Sequence, residues 1–147
     1  MIFWERRKAV SSLYEKKTRA ACDKYQLTQM EYDILMFLHN NPDFITATDI
    51  VNIRKLTKSH VSMSLKMLEE KGYIKRYYGE NNNKIAHIKV LRKAEKILQD
   101  GYKVQIDFLN TIFSGFSEEE KHQFKALLNR IYKNVENELE ETKKWNF

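Results

Sequence analysis

Apolar residues recur along this chain with helical spacing almost throughout, interrupted once by two short strand-like runs. Residues 2–25 contain no Gly or Pro and carry a loose stripe, Phe3, Val10, Leu13, Tyr14, Ala21 and Tyr25, which predicts one long helix. A second helix restarts at Leu27-Thr28-Gln29-Met30-Glu31. There Thr28 and Glu31 can form a reciprocal capping box, and Leu27 can staple onto Tyr32. Its apolar positions are Ile34, Leu35, Phe37 and Leu38, and it stops at Asn40-Asn41-Pro42-Asp43, because Pro42 forces its predecessor out of the helical region. Thr46 caps a short third helix with Asp49 near its positive end and Ile50, Val51 and Ile53 as apolar positions. Thr57 caps a fourth, whose stripe is Val61, Leu65 and Leu68 and whose stop is Lys71-Gly72. Tyr73–Tyr78 and Ile85–Val90 read as strands around a loop of Gly79, Asn81, Asn82 and Asn83, residues that readily supply positive φ.

From Leu91 the pattern is helical again, with Ala94, Ile97, Leu98, Gly101, Gln105, Phe108, Leu109, Ile112 and Phe113 on one wide face. Ser114-Gly115-Phe116 breaks it, and Ser117–Glu120 forms a capping box opening a last helix with Phe124, Leu127, Leu128, Ile131, Val135 and Leu139. Helix, turn, helix and hairpin over residues 46–90 is the layout of a winged helix-turn-helix. The predicted fold is mainly α (α+β), with about six helices and one hairpin. The last two helices, at about 22 and 28 residues, would be about 33 and 42 Å long, more than so small a reading head can cover. Projecting helices with apolar stripes need a partner, and a second copy supplies one. The expected organisation is therefore a dimerisation region from residues 1–27 and 93–147 around a DNA-binding region at 28–92.

Charge sharpens this layout. The net +6 is not evenly spread: residues 46–96 hold twelve Lys/Arg against five acids, a net +7, leaving −1 for the rest. Basicity concentrated on the reading head is the footprint expected for phosphates. A hydrophobic content of 42% in 147 residues fits one ordinary globular domain. No apolar run approaches the ~20 residues that span a bilayer, and MIFWERRKAV is no signal peptide. With a single cysteine, a cytoplasmic protein without membrane contact is expected.

If Val61, Leu65 and Leu68 face inward, Lys58, Ser59, Ser62, Met63 and Lys66 face outward, with His60 beside them as a further candidate contact. Lys58 opposes the helix dipole unless a phosphate neutralises it. Ser59 and Ser62 can approach base edges, Met63 can pack on a thymine methyl, and Lys66 can reach guanine or phosphate. Arg54 and Lys55, in the turn, would clamp phosphate. In the hairpin, Asn82, Asn83 and Lys84 can enter a minor groove or hold phosphates, with Arg76 at the base as a backbone contact. The bland alternatives are a solvated amphipathic helix and a plain Asn-rich turn.

The stretch LTKSHVSMSLKMLEEKGYIKR, with LTQMEYDILMFL before it and a hairpin and long helix after it, resembles the MarR family of bacterial transcriptional regulators. The resemblance implies a dimer with interlocked terminal helices, a recognition helix matching Thr57–Lys71 and a wing matching Tyr73–Val90. Many members are repressors released by small phenolic or amphipathic ligands. The chain departs from the family pattern at Asn82-Asn83-Lys84, where Asp-x-Arg is usual. Lys lacks the forked contact of Arg, so this wing is expected to hold phosphate rather than read sequence. Met63 and Met67 stand where Arg is frequent, and Arg92 replaces a Thr that would cap the next helix.

Other chemistry is weakly signalled. Cys22 follows Lys16, Lys17 and Arg19, which could favour a thiolate and a redox role, but a buried or incidental thiol is the expected reading. His39, His60, His87 and His122 show no i, i+4 pairing, so no metal is expected, and no phosphate loop or nucleophile motif points to an enzyme or a cofactor. Tyr14, Tyr25, Tyr32, Met36, Phe37 and Tyr102 can line a cavity for a small aromatic or amphipathic effector, or can simply be core. Two other functions stay open: a winged-helix protein-interaction module, and a ligand or redox sensor with secondary DNA binding.

Overall fold

The computed structural model describes the backbone of residues 2–80 and 82–144 and the side chains of 4–80 and 84–140. The chain divides into two compact units, residues 1–108 and 109–147. Helix α1 runs Ile2–Tyr25 and ends where Gln26 turns left-handed at φ 53°, with the Leu27 amide donating to the Cys22 carbonyl. Helix α2, Gln29–Asn40, opens on the expected capping box. Thr28 Oγ1 accepts from the Glu31 amide at 3.1 Å, and the Glu31 carboxylate accepts from the Thr28 amide. It closes at Asn41, whose φ of −131° lies outside the helical region, as the following proline requires.

Helix α3, Ala47–Arg54, has a capping box of its own between Thr46 and Asp49. Lys55, left-handed at φ 53°, makes the turn into α4, Lys58–Glu70, which Thr57 caps through the His60 amide. Helix α4 ends at Gly72, φ 75°, with paired bonds from Gly72 to Glu69 and from Tyr73 to Leu68. That Schellman arrangement satisfies carbonyls the helix would otherwise orphan.

Strands β1, Ile74–Gly79, and β2, Asn82–Val90, pair antiparallel from Ile74↔Val90 to Tyr78↔Ala86, then slip by a bulge to Gly79↔Asn82. This corrects the expected loop. Asn82, Asn83 and Lys84 belong to β2, and Gly79 does not adopt positive φ. Ladder bonds offered by the partner strand outweigh the turn preference of the asparagines. A second, single-bridge pairing joins the sheet edge at Thr46↔His87, with the Ile88 amide donating to the Ile45 carbonyl at 2.7 Å.

A 3-10 turn, Arg92–Ala94, follows Leu91 without any side-chain cap and leads into α5, Glu95–Ile112. Helix α6, Glu118–Lys144, starts on the Ser117–Glu120 capping box. At 18 and 27 residues these two helices are shorter than expected, α5 the more so.

The core of the first unit forms around α2, with Tyr32, Ile34 and Leu35 fully buried against Ile50, Val61, Leu65, Leu68, Ile74 and Ile97. Ile53 is 45% exposed and is not a core position. Helix α5 passes close to α2 at Gly101, where a Cβ would stand 2.4 Å from Met36 Sδ and 3.0 Å from the Tyr32 hydroxyl. Lys71 ties three segments together. Its ammonium reaches buried Glu31 at 2.6 Å and the Gln26 carbonyl at 2.7 Å, while Lys93 donates to the Lys71 carbonyl.

Candidate nucleic-acid interface

Helix α4 is amphipathic because its apolar side chains fall three and four residues apart. Val61, Leu65 and Leu68 are at most 1% exposed, and Ser64 lies with them on the buried arc. At about 100° per residue, the side directly opposite holds Ser59, Met63, Lys66 and Glu70, flanked by Ser62 and Met67. All six are exposed, as are Lys58 and His60. The Lys66 ammonium lies 3.9 Å from Glu70 across one turn.

Two arginines of the reading head, Arg76 and Arg54, are held by carboxylates. Glu69, near the end of α4, accepts from the Arg76 backbone amide at 2.8 Å and from its guanidinium at 2.9 and 2.7 Å. These bonds to the backbone and side chain of Arg76 hold the Glu69 carboxyl below its ordinary range. Arg76, expected at a phosphate, therefore braces the wing onto α4. Arg54 likewise points at Asp33 of α2, at 3.5 Å. Asp33 also accepts from Gln29 at 3.0 Å and from the Tyr14 hydroxyl at 3.4 Å. Burial raises the Asp33 carboxyl despite these partners.

Lys55 and Lys84 are exposed. The side chains of Asn82 and Asn83, two of the expected contacts, lie outside the described residues. Lys75 and Lys89 were not anticipated as a pair: they face each other across the hairpin, both exposed. Like charges in register disfavour a sheet, a signal readable only once the register is known.

Residues 25–80, from the end of α1 to the tip of the wing, match the family model described as MarR family. The uncharacterized HTH-type transcriptional regulator YybA of Bacillus subtilis (strain 168) is 30% identical over 120 residues, 82% of this chain and 79% of that protein. The chain belongs to the MarR family of DNA-binding transcriptional regulators. HTH-type transcriptional regulator PecS of Dickeya dadantii (strain 3937) is 29% identical over 130 residues, 87% of this chain and 78% of its own. The transcriptional regulator SlyA has the same fold, with a TM-score of 0.83 at 22% identity, spanning 97% of this chain and 99% of that one. The winged helix with long terminal helices is thus the MarR-family fold, and α4 occupies the second-helix position of its helix-turn-helix.

Within this MarR-family frame most of the expected effector residues are engaged individually in packing or hydrogen bonds. Tyr32, Met36 and Phe37 are packed in the core, with Tyr32 at 0% exposure. Tyr14 packs edge-on against Phe108, and burial with the nearby Asp33 charge pushes its hydroxyl up to about 12. Tyr25 donates to Asp100 at 2.6 Å. Tyr102 is on another side, half exposed, beside an open depression of about 410 Å³ with His39, Glu95, Leu98 and Gln99. The structure favours the buried reading of Cys22 over the thiolate alternative. The thiol is buried, and desolvation together with Asp33 and Asp23 raises it, outweighing lysines that are near only in sequence. Among the described residues no group of three His, Cys, Asp or Glu could hold a metal, and no helix is long and apolar enough to cross a membrane.

Proposed function

We propose that the chain is a homodimeric repressor, acting in the cytoplasm, that binds a pseudo-palindromic site in duplex DNA with α4 in the major groove and the hairpin on the adjacent backbone. One observation carries this reading. The solvent face of α4 offers Lys58, Ser59, Ser62, Met63 and Lys66, all exposed, on a helix fixed from behind by three fully buried aliphatic side chains. Such a helix presents base-contacting and phosphate-contacting groups with little freedom to lose on binding. Residues 28–92 would form the DNA-binding region, and the segments 1–27 and 93–147 the dimerisation region.

The dimer follows from α6. Phe124, Leu127, Ile131, Val135 and Leu139 are each more than 40% exposed at helical spacing. An apolar stripe of that length on a single chain calls for a cover, and a second copy provides the two-fold symmetry a palindrome needs. A small aromatic or amphipathic effector completes the proposal. The open depression of about 410 Å³ beside Tyr102, one of the expected effector residues, supports that part of the reading.

Fluorescence anisotropy with genomic fragments at two salt concentrations tests the DNA reading. Binding should fall steeply with salt, and Ser62→Ala or Lys66→Ala should reduce discrimination between specific and random duplex, while Lys84→Ala weakens both about equally. Equal losses on both duplexes for all three variants would remove α4 from the role of reader. Absence of any binding at low salt would favour a protein-interaction module instead.

A further inference from the structure

We propose that Met63 is a specificity-determining residue of α4, reading the 5-methyl group of thymine in the major groove. This rests on the DNA reading above. Met63 is the most exposed large apolar side chain among the described residues, at 68%, and Met67 one turn later is 38% exposed. Neither helps hold the fold: the buried arc of α4 is complete without them. An apolar side chain at the centre of a surface otherwise polar and basic marks a place that is covered when the protein works.

The rest of that face narrows what covers it. Helix α4 contains no Arg, Asn or Gln, the side chains that make forked contacts to guanine and adenine. Arg76 is committed to Glu69 through two guanidinium bonds, and Arg54 points at Asp33. Ser59 and Ser62 can bond to more than one base, and Lys66 is a single-point contact already near Glu70. Lys66 can also reach guanine and exposed His60 is a further candidate contact, so on this face it is the methionine whose apolar contact selects thymine. Thymine carries the only methyl group on the major-groove edge of unmodified DNA. An unbranched thioether, polarizable and rotatable, can follow it. Exposed Lys55, Lys58 and Lys66 around the methionine favour a polyanion over an apolar protein surface as the partner.

Duplexes enriched from a random pool by the full chain supply the probe. Each thymine of the enriched site is then replaced singly by deoxyuridine, which lacks only the methyl group. At one or more positions the wild type should lose about fourfold in affinity, the scale of one buried methyl-sized group. Met63→Ala should bind the thymine and deoxyuridine duplexes equally, with an unchanged melting temperature. At the same position, 5-methylcytosine should be bound better than cytosine by the wild type only. A site whose thymines all tolerate deoxyuridine overturns the proposal and leaves the DNA reading in place. So does a Met63→Ala protein that keeps the wild-type difference. A pool yielding no enriched site overturns both and turns attention to a protein partner for α4.

Discussion

Glu69 and Arg76 meet where α4 ends and the hairpin begins, so their pairing sets the angle between the two elements proposed to contact DNA. The side chains are 34% and 26% accessible, and the pair contributes about 1 kcal/mol or less to stability. Its effect is geometric. Because Glu69 titrates below its ordinary value of 4.5, its contribution is complete above that pH and is lost as the pH falls through the lowered folded value. We expect the protection factor of the Arg76 amide, its exchange relative to a free peptide at the same pH, to fall on acidification below about pH 4.5, and Glu69→Gln to show that loss already at neutral pH. Hydrogen exchange followed by NMR measures both. Cys22 gives a second prediction at this scale. With its thiol raised by burial, alkylation by iodoacetamide at pH 7 should be at least about tenfold slower in the native protein than in urea. Neither pairing was legible in the sequence. Among the charges that raise Cys22, Asp23 is its neighbour in sequence, but only folding brings Asp33 and Glu31 of α2 close.

Elements were more legible than pairings because their signals are local. Thr28, Thr46, Thr57 and Ser117 announce helix starts through bonds spanning three residues, and all four form. Ile53 escaped because α3 is only two turns long. Its apolar residues fan out around the axis, Ile50 and Val51 take the core side, and Ile53 is left in water. The wing tip escaped because a bulge depends on the partner strand. Gly101 is the element-scale position of greatest consequence. Replacing a mid-helix Gly by Ala ordinarily stabilises by up to about 1 kcal/mol. Here the added Cβ would meet Met36 Sδ at 2.4 Å, so Gly101→Ala should lower stability by about 1–3 kcal/mol in urea denaturation. Shortening Met36 in the Gly101→Ala background should recover part of that loss. A stabilised Gly101→Ala protein would mean that α2 and α5 part easily.

For the whole molecule, the exposed stripe of α6 makes assembly the main question. Ile131, at 46% accessibility, lies in the middle of that stripe. Ile131→Glu should therefore convert a dimer to monomers at micromolar concentration by sedimentation equilibrium, and should lower DNA affinity with it. A wild-type chain that sediments as a monomer would leave the stripe without its proposed cover. Length, spacing and charge segregation made the fold and the reading head legible. The division of labour within the head was not, because it depends on which basic side chains find carboxylates.

The ends of α4 are anchored unequally. At its C-terminal end, Lys71 grips Glu31 and the Gln26 carbonyl, and Lys93 grips Lys71 in turn. At the other end, the Lys55 turn and the 3.5 Å contact of Arg54 with Asp33 offer a looser hold. Between them Val61, Leu65 and Leu68 hold the helix along its length, so the two ends differ in polar anchoring alone. If α4 enters the groove as proposed above, its C-terminal half and the wing braced to it reach the DNA as one piece, and adaptation to a site falls to the side chains of its first turn.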